Sequence, residues 1–158
     1  MIRRDRGFAS ALEAAGLPVL PALEVPGLDE ASSDQRRFEQ NAHLLAGYLY
    51  GHLRGAKPVD AILAQSDTYI AEVAAACRIL EKDPSRDVVL AGYDNCWADC
   101  VERQWDPTPP RVTVDKNDPD IGRAVAGLLI ERIGGQLPPE PQRRVVAQRL
   151  AVVEATEV

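Results

Sequence analysis

The chain has 158 residues, 46% of them hydrophobic, and a formal net charge of -6 at pH 7. That is one domain's worth with enough apolar material for a proper core, which excludes a disordered or fibrous chain. The acidic balance argues against this chain gripping a nucleic acid by itself, since such binding rests on phosphate neutralisation by Lys and Arg.

The first six residues carry three arginines, and a helix follows almost at once, an odd way for an α/β domain to begin. Phe8, Ala11, Leu12 and Ala15 recur at helical spacing, and Gly16 with Pro18 beyond it is a C-terminal stop. Val19–Val25 is β-compatible but broken by Pro21 and flanked by Pro26, so at best it is an edge strand. Residues 27–34 read as a polar loop. The spacing of Phe38, Ala42, Leu45, Leu49 and Leu53 predicts a helix from near Ser33 to about Leu53, closed by Gly55-Ala56-Lys57-Pro58. Val59–Ala64 reads as a buried strand with Gln65-Ser66-Asp67-Thr68 at its carboxyl end. Ser66 or Asp67 then caps a helix with body Tyr69–Leu80, terminated by Lys82-Asp83-Pro84.

The chain is organised around Asp87-Val88-Val89-Leu90-Ala91-Gly92-Tyr93-Asp94-Asn95. Its apolar run predicts a buried strand, and Gly-Tyr-Asp-Asn ends it as a tight loop. Asp94 is thereby left at a strand's carboxyl end, the edge where open α/β sheets bind ligands. Shaping the turn is the alternative role for Asp94 and Asn95. Cys96–Gln104 reads as short helical turns, and Asp106-Pro107-Thr108-Pro109-Pro110 as extended chain. A short strand at Arg111–Asp115 and a helix opened by Asp118-Pro119 come next. Ile121, Val125, Leu128, Leu129 and Ile133 share one side of that helix, which Gly134-Gly135 ends. A stiff connector, Leu137–Pro141, leads to a final strand from Arg144 to Val153. Alternating strands and helices predict parallel βαβ units and a sheet covered on both faces.

Three cysteines, Cys77, Cys96 and Cys100, make a disulfide framework unexpected. Cys96 and Cys100 are four apart near Asp94 and Asp99, but no second pair of ligands accompanies them, so no metal is expected. No glycine-rich phosphate loop, nucleophile elbow or histidine pair occurs, and no cofactor is expected. No apolar run spans a bilayer and the N-terminus is unlike a signal peptide, so the expected location is the cytoplasm, away from membranes.

Taken in order, Arg4-x-x-Gly7-Phe8, Ala64-Gln65-Ser66-Asp67, Val89-Leu90-Ala91-Gly92-Tyr93-Asp94-Asn95 and Pro109-Pro110-Arg111-Val112-Thr113-Val114 resemble the effector-binding domain of the LacI/GalR family of bacterial transcription regulators. The helix Gly122–Gly135 and the strand Leu150-Ala151-Val152-Val153 resemble the family's closing elements. The resemblance implies a parallel-sheet α/β fold of the periplasmic-binding-protein type I kind. It also implies that the chain is the C-terminal half of such a domain, mostly the C-terminal lobe. Residues 1–110 and 143–158 would belong mainly to that lobe, and 111–137 would supply a crossover strand and a helix of the other one. The helix from Asp118 to Ile133 would then lack part of its packing surface, and the DNA-binding helix-turn-helix would be absent.

By position, the resemblance implies ligand contacts from Arg4, Ser66 and Asp67, and from Asp94, matched to the family carboxylate that binds sugar hydroxyls or a purine edge. Gln65-Ser66 in place of Ala-Asn shrinks one polar contact, and Arg111-Val112 in place of Leu-Thr alters the hinge strand. The 27–34 loop offers no aromatic for stacking on a sugar. Lys116 reads either as a cationic contact or as a solvated lysine. A homodimer is expected through the helix after Asp67 and the Trp97–Trp105 region, although each tryptophan equally suits a core. Three functions follow: an effector-sensing, non-enzymatic module for a small polar ligand such as a sugar, with DNA reached only through segments absent here; a solute-binding protein of the same fold; or a small enzyme using Asp94 and Asp67 as acid and base. The last lacks any nucleophile, metal or oxyanion donors.

Overall fold

The computed structural model describes residues 2–28 and 34–152. Four helices and four strands are present among them: α1 (Ile2–Ala14), α2 (Gln35–Leu53), β1 (Ala61–Leu63), α3 (Ile70–Ile79), β2 (Val89–Ala91), β3 (Val112–Asp115), α4 (Asp118–Ile133) and β4 (Arg149–Val152). They build one sheet in the order β1-β2-β3-β4. β1 and β3 run parallel to β2, and β4 runs antiparallel to β3 with Thr113 opposite Ala151. The α/β class is as the sequence implies, and β1–α3–β2 is a parallel βαβ unit, whereas the helix α4 joins β3 to an antiparallel β4.

Helix boundaries follow local chemistry. The α1 helix begins earlier than its apolar spacing suggests and therefore includes Arg4. It ends where Gly16, at φ +69°, lets the Gly16 and Leu17 amides turn back onto Glu13 and Leu12, closing the last turn's carbonyls. Asp34 caps α2, its carboxylate accepting from the Arg37 amide at 2.9 Å. Ser33, the expected start of this helix, lies outside the described residues, as do 29–32 and the end of the last strand at Val153. The Val19–Val25 segment forms no strand, because the prolines around it interrupt a ladder. Cys96–Gln104 folds as two short 3₁₀ turns, Trp97–Asp99 and Val101–Gln104.

The core lies on one side of the sheet. Leu45, Leu49 and Leu53 of α2 meet Ile70, Val73, Ala74 and Cys77 of α3 above Val88 and Leu90. Ile70, Leu53 and Leu90 are at most 1% exposed, and each contributes about 1.5–3 kcal/mol by leaving water. The opposite face departs from expectation. Both α2 and α3 pack on the same face, so Leu63 and Val89, which point the other way by strand alternation, are 46% and 50% exposed. The β1 strand is thus half-buried rather than buried, and the sheet is covered on one face only among the described residues.

No residue of α4 is buried, and Ile133 is 79% exposed. This helix leans on the 143–146 segment, where Arg144 pairs with Glu131 at 2.5 Å. Residues 144–148 remain extended without pairing, so β4 is shorter than the alternation of its side chains suggests. The α3 helix, expected at a dimer contact, is buried along most of its body against α2 and the sheet, leaving Arg78 and Ile79 as its exposed residues. Trp105 stacks on Phe38 with ring centroids 5.3 Å apart, an intramolecular contact.

Candidate functional site

Backbone pairing continues past the strands and aligns their carboxyl ends. The Asp67 amide donates to the Tyr93 carbonyl at 2.8 Å, and the Asp94 amide donates to the Val114 carbonyl at 2.9 Å. Three strand ends are therefore tied side by side, which brings Ser66, Asp94 and Lys116 together although 50 residues separate the first from the last. Asp94 and Asn95 both have positive φ, 96° and 54°. Short polar side chains tolerate that conformation best, and here the turn role and the site role fall on the same residue.

Asp94 is the centre of the cluster. Its Oδ2 accepts from the Ser66 hydroxyl at 2.9 Å, and its Oδ1 lies 3.0 Å from the Lys116 ammonium. Oδ1 is buried, and the Lys116 ammonium is the cation that faces it. The hydrogen bond to Asp94 raises the Lys116 pKa and keeps it a cation. Lys116 is thus an ion-paired member of the cluster; a lysine immediately after a short strand gave that possibility in the sequence, but its partner is visible only in the fold.

Arg4 reaches the same edge from α1. Its guanidinium lies 3.7 Å from the centroid of the Tyr93 ring, and it donates to the Gln65 carbonyl at 3.1 Å. Tyr93 is held in turn by Gln148, which donates to its hydroxyl at 2.6 Å. Tyr93 and Gln148 are site-bordering residues that sequence reasoning passed over, Tyr93 because it reads as turn chemistry and Gln148 because it stands 55 residues away.

Asp67 behaves differently from the other three expected contacts. It is 0% exposed. Thr113 donates to its carboxylate at 2.8 and 3.0 Å, and the Cys96 amide donates to Oδ2 at 2.9 Å. Burial pushes its pKa up, with the Thr113 and backbone hydrogen bonds opposing. In this structure Asp67 is a buried tie between strand ends, facing Thr113 and the Cys96 turn rather than open space. Gly92 makes room for it: a Cβ there would stand 1.9 Å from Asp67 Oδ1. The 3₁₀ turn after Ser66 is capped by the Ser66 hydroxyl, which accepts from the Thr68 amide at 3.4 Å.

Chemically the cluster presents one carboxylate, one hydroxyl and two cations at an open strand edge. Such a set can hydrogen-bond a polar small molecule from several directions. No group of three or more His, Cys, Asp or Glu positioned for a metal ion occurs among the described residues.

The family model for a periplasmic binding protein-like domain matches residues 1–154. The chain is 31% identical over 158 residues to the HTH-type transcriptional regulator CelR of Thermobifida fusca, covering 98% of this chain and 40% of that protein. A LacI-family regulator structure from Sanguibacter keddieii superposes with a TM-score of 0.66 at 25% identity, over 94% of this chain and 51% of the other. A LacI-family regulator from Lactobacillus casei, solved with bound sucrose, superposes with a TM-score of 0.53 at 18% identity, over 93% of this chain and 48% of the other. The chain spans about half the length of the solved relatives it matches, and less of the curated one.

Proposed function

The chain belongs to the periplasmic binding protein-like family, as an effector-binding domain of the LacI kind, and from that premise we propose that its Arg4, Ser66, Asp94 and Lys116 cluster recognises a sugar or similar polyol as a regulatory effector. The observation that carries this reading is the convergence of Ser66, Asp94 and Lys116 on aligned strand ends, with the Asp94 carboxylate between a hydroxyl and an ammonium. Vicinal hydroxyls suit such an acceptor, because one carboxylate can take two of them at once. We read the role as binding, the role of the regulators that this chain resembles.

On this reading the domain senses ligand for a cytoplasmic regulator that works as a homodimer, and DNA is gripped by a helix-turn-helix carried on another segment. Binding shifts the dimer between states of different DNA affinity. Asp67 contributes by holding the strand ends in register. The dimer contact falls on the exposed surface near Val101, since α3 and Trp105 are engaged within the fold.

Calorimetric titration with a panel of neutral mono- and disaccharides tests the site, with the titration repeated on Asp94→Asn. Losing a charged acceptor worth about 1.5–3 kcal/mol should weaken binding roughly 10- to 100-fold. A sugar bound equally well by Asp94→Asn would remove Asp94 from the site and overturn the proposal. Sedimentation of the same protein tests the dimer: a monomer at all concentrations would refute that part.

A further inference from the structure

Two of the three thiols of this chain stand together beside the cluster. The Cys96 and Cys100 sulfurs are 3.9 Å apart, and the Cys100 thiol also donates to the Cys96 carbonyl at 3.2 Å. The 3₁₀ turn Trp97–Asp99 sets this geometry by bringing the residue before it and the residue after it onto one side. Cys96 is half-buried, so an oxidant can reach it, whereas Cys77 is fully buried in α3.

We propose that Cys96 and Cys100 are an oxidisable pair that closes to an intramolecular disulfide when the protein meets a hydroperoxide. Cys96 is the attacking sulfur: as the thiolate it takes one oxygen of hydrogen peroxide, becomes a sulfenic acid, and the second oxygen leaves as water. The Cys100 sulfur then attacks the Cys96 sulfur, the S–O bond breaks, and the hydroxyl leaves as a second water with the Cys100 proton. Two thiols have lost two electrons and two protons, and one peroxide has become two waters. A small dithiol reverses the step by exchange. Closure requires the sulfurs to move from 3.9 Å to about 2 Å.

Burial raises both thiols, Cys100 to about 12, so the thiolate fraction is small and the reaction is slow. The pair sits where its state matters. The Cys96 amide is one of the donors that holds Asp67, and Trp97, between the two sulfurs in sequence, packs against the core. Closing the bond tightens the turn that supplies that donor.

The test treats the purified protein with hydrogen peroxide, alkylates it under denaturing conditions and measures intact mass and peptide maps. The expected product has lost two hydrogens, keeps one alkylatable thiol at Cys77, maps to a Cys96–Cys100 disulfide, and returns to three thiols with dithiothreitol. Cys77→Ser should still form the bond, and Cys100→Ser should stop at an oxygenated Cys96. Tryptophan fluorescence, which reports Trp97 and Trp105 together, should change with the bond in the wild type and return with dithiothreitol. Three alkylatable thiols after treatment, a sulfinic acid at Cys96 in the wild type, or a disulfide linking two chains would each overturn the proposal.

Discussion

Thr113→Val removes one hydroxyl from the centre of the molecule and leaves the shape of the side chain unchanged. Thr113 is 1% exposed, and its hydroxyl does two things at once. It donates to the buried Asp67 carboxylate at 2.8 Å, and it accepts from the Asn95 amide at 3.3 Å. Valine fills the same volume, so no cavity term enters. The loss is that of a hydrogen bond to a charged group, about 1.5–3 kcal/mol, with a smaller addition for the long bond from Asn95. For a domain of this size that corresponds to a Tm lower by roughly 4–10 °C. Thr113→Ser retains the hydroxyl and should recover most of the difference.

The same variant carries a pH signature. Burial raises the Asp67 pKa in the folded state, and Thr113 is the leading influence that lowers it. Because the folded pKa stands above the unfolded one, this group costs stability at neutral pH, and the cost is relieved as pH falls through the folded pKa. Removing the Thr113 donor raises the folded pKa further. The gap between wild type and Thr113→Val is therefore full above the variant's folded pKa, shrinks as pH falls through it, and is smallest once pH is below the wild-type folded pKa. Thermal melts followed by circular dichroism from neutral pH down to the unfolded carboxylate range give the comparison. Equal Tm values at pH 7, or a gap that stays constant across the titration, would refute the assignment of Asp67 as a buried, titrating tie to Thr113.

Gly92→Ala places a Cβ at 1.9 Å from Asp67 Oδ1, and the crowding should cost about 1–3 kcal/mol in urea melts; the double variant with Asp67→Ala should show clear non-additivity, and simple additivity would mean the two sites do not touch. Arg78→Met leaves Asp106, with its side chain 7% exposed, without the guanidinium that spans it and Thr108. Arg78 itself is half-exposed, so screening limits the loss to about 1–2 kcal/mol in chemical denaturation, and an unchanged midpoint would show the pair to be idle. Ile133→Ser should alter stability by no more than about 0.5 kcal/mol, since Ile133 is 79% exposed, whereas Ile70→Ala should cost about 2–5 kcal/mol. A large loss at Ile133 would show that the apolar side of α4 is packed in solution.

The elements were legible wherever local chemistry decides them. Helical spacing marked α2, from Phe38 to Leu53, and the interior of α3. Gly16 marks a helix end because a left-handed residue satisfies backbone groups that no neighbour could, whereas the cap of α2 fell one residue beyond its expected start, on Asp34. Asp94 was legible for a related reason: an apolar run that stops at turn residues leaves the next polar side chain at the strand's carboxyl end. Val19–Val25 forms no strand, although its residues suit one, since pairing requires a neighbour and the prolines withhold donors.

Only the tertiary structure decided which polar residues face one another. Ser66, Asp94 and Lys116 come from three strands, and their meeting depends on register, a property of pairing between distant segments. Arg4 on Tyr93 and Gln148 on its hydroxyl are likewise contacts across most of the chain. Asp67 and Ser66 are adjacent in sequence, yet one is sealed beneath Thr113 and the other meets Asp94. Alternation along an extended chain sends neighbours to opposite sides, but which side is the core depends on where α2 and α3 pack. By that same placement, Leu63 and Val89, apolar residues indistinguishable in sequence from Leu90, lie on the uncovered face. The sequence by itself determined the elements and the end of the sheet where polar groups collect; packing decided which of those groups stay open to a ligand and which hold the strands together.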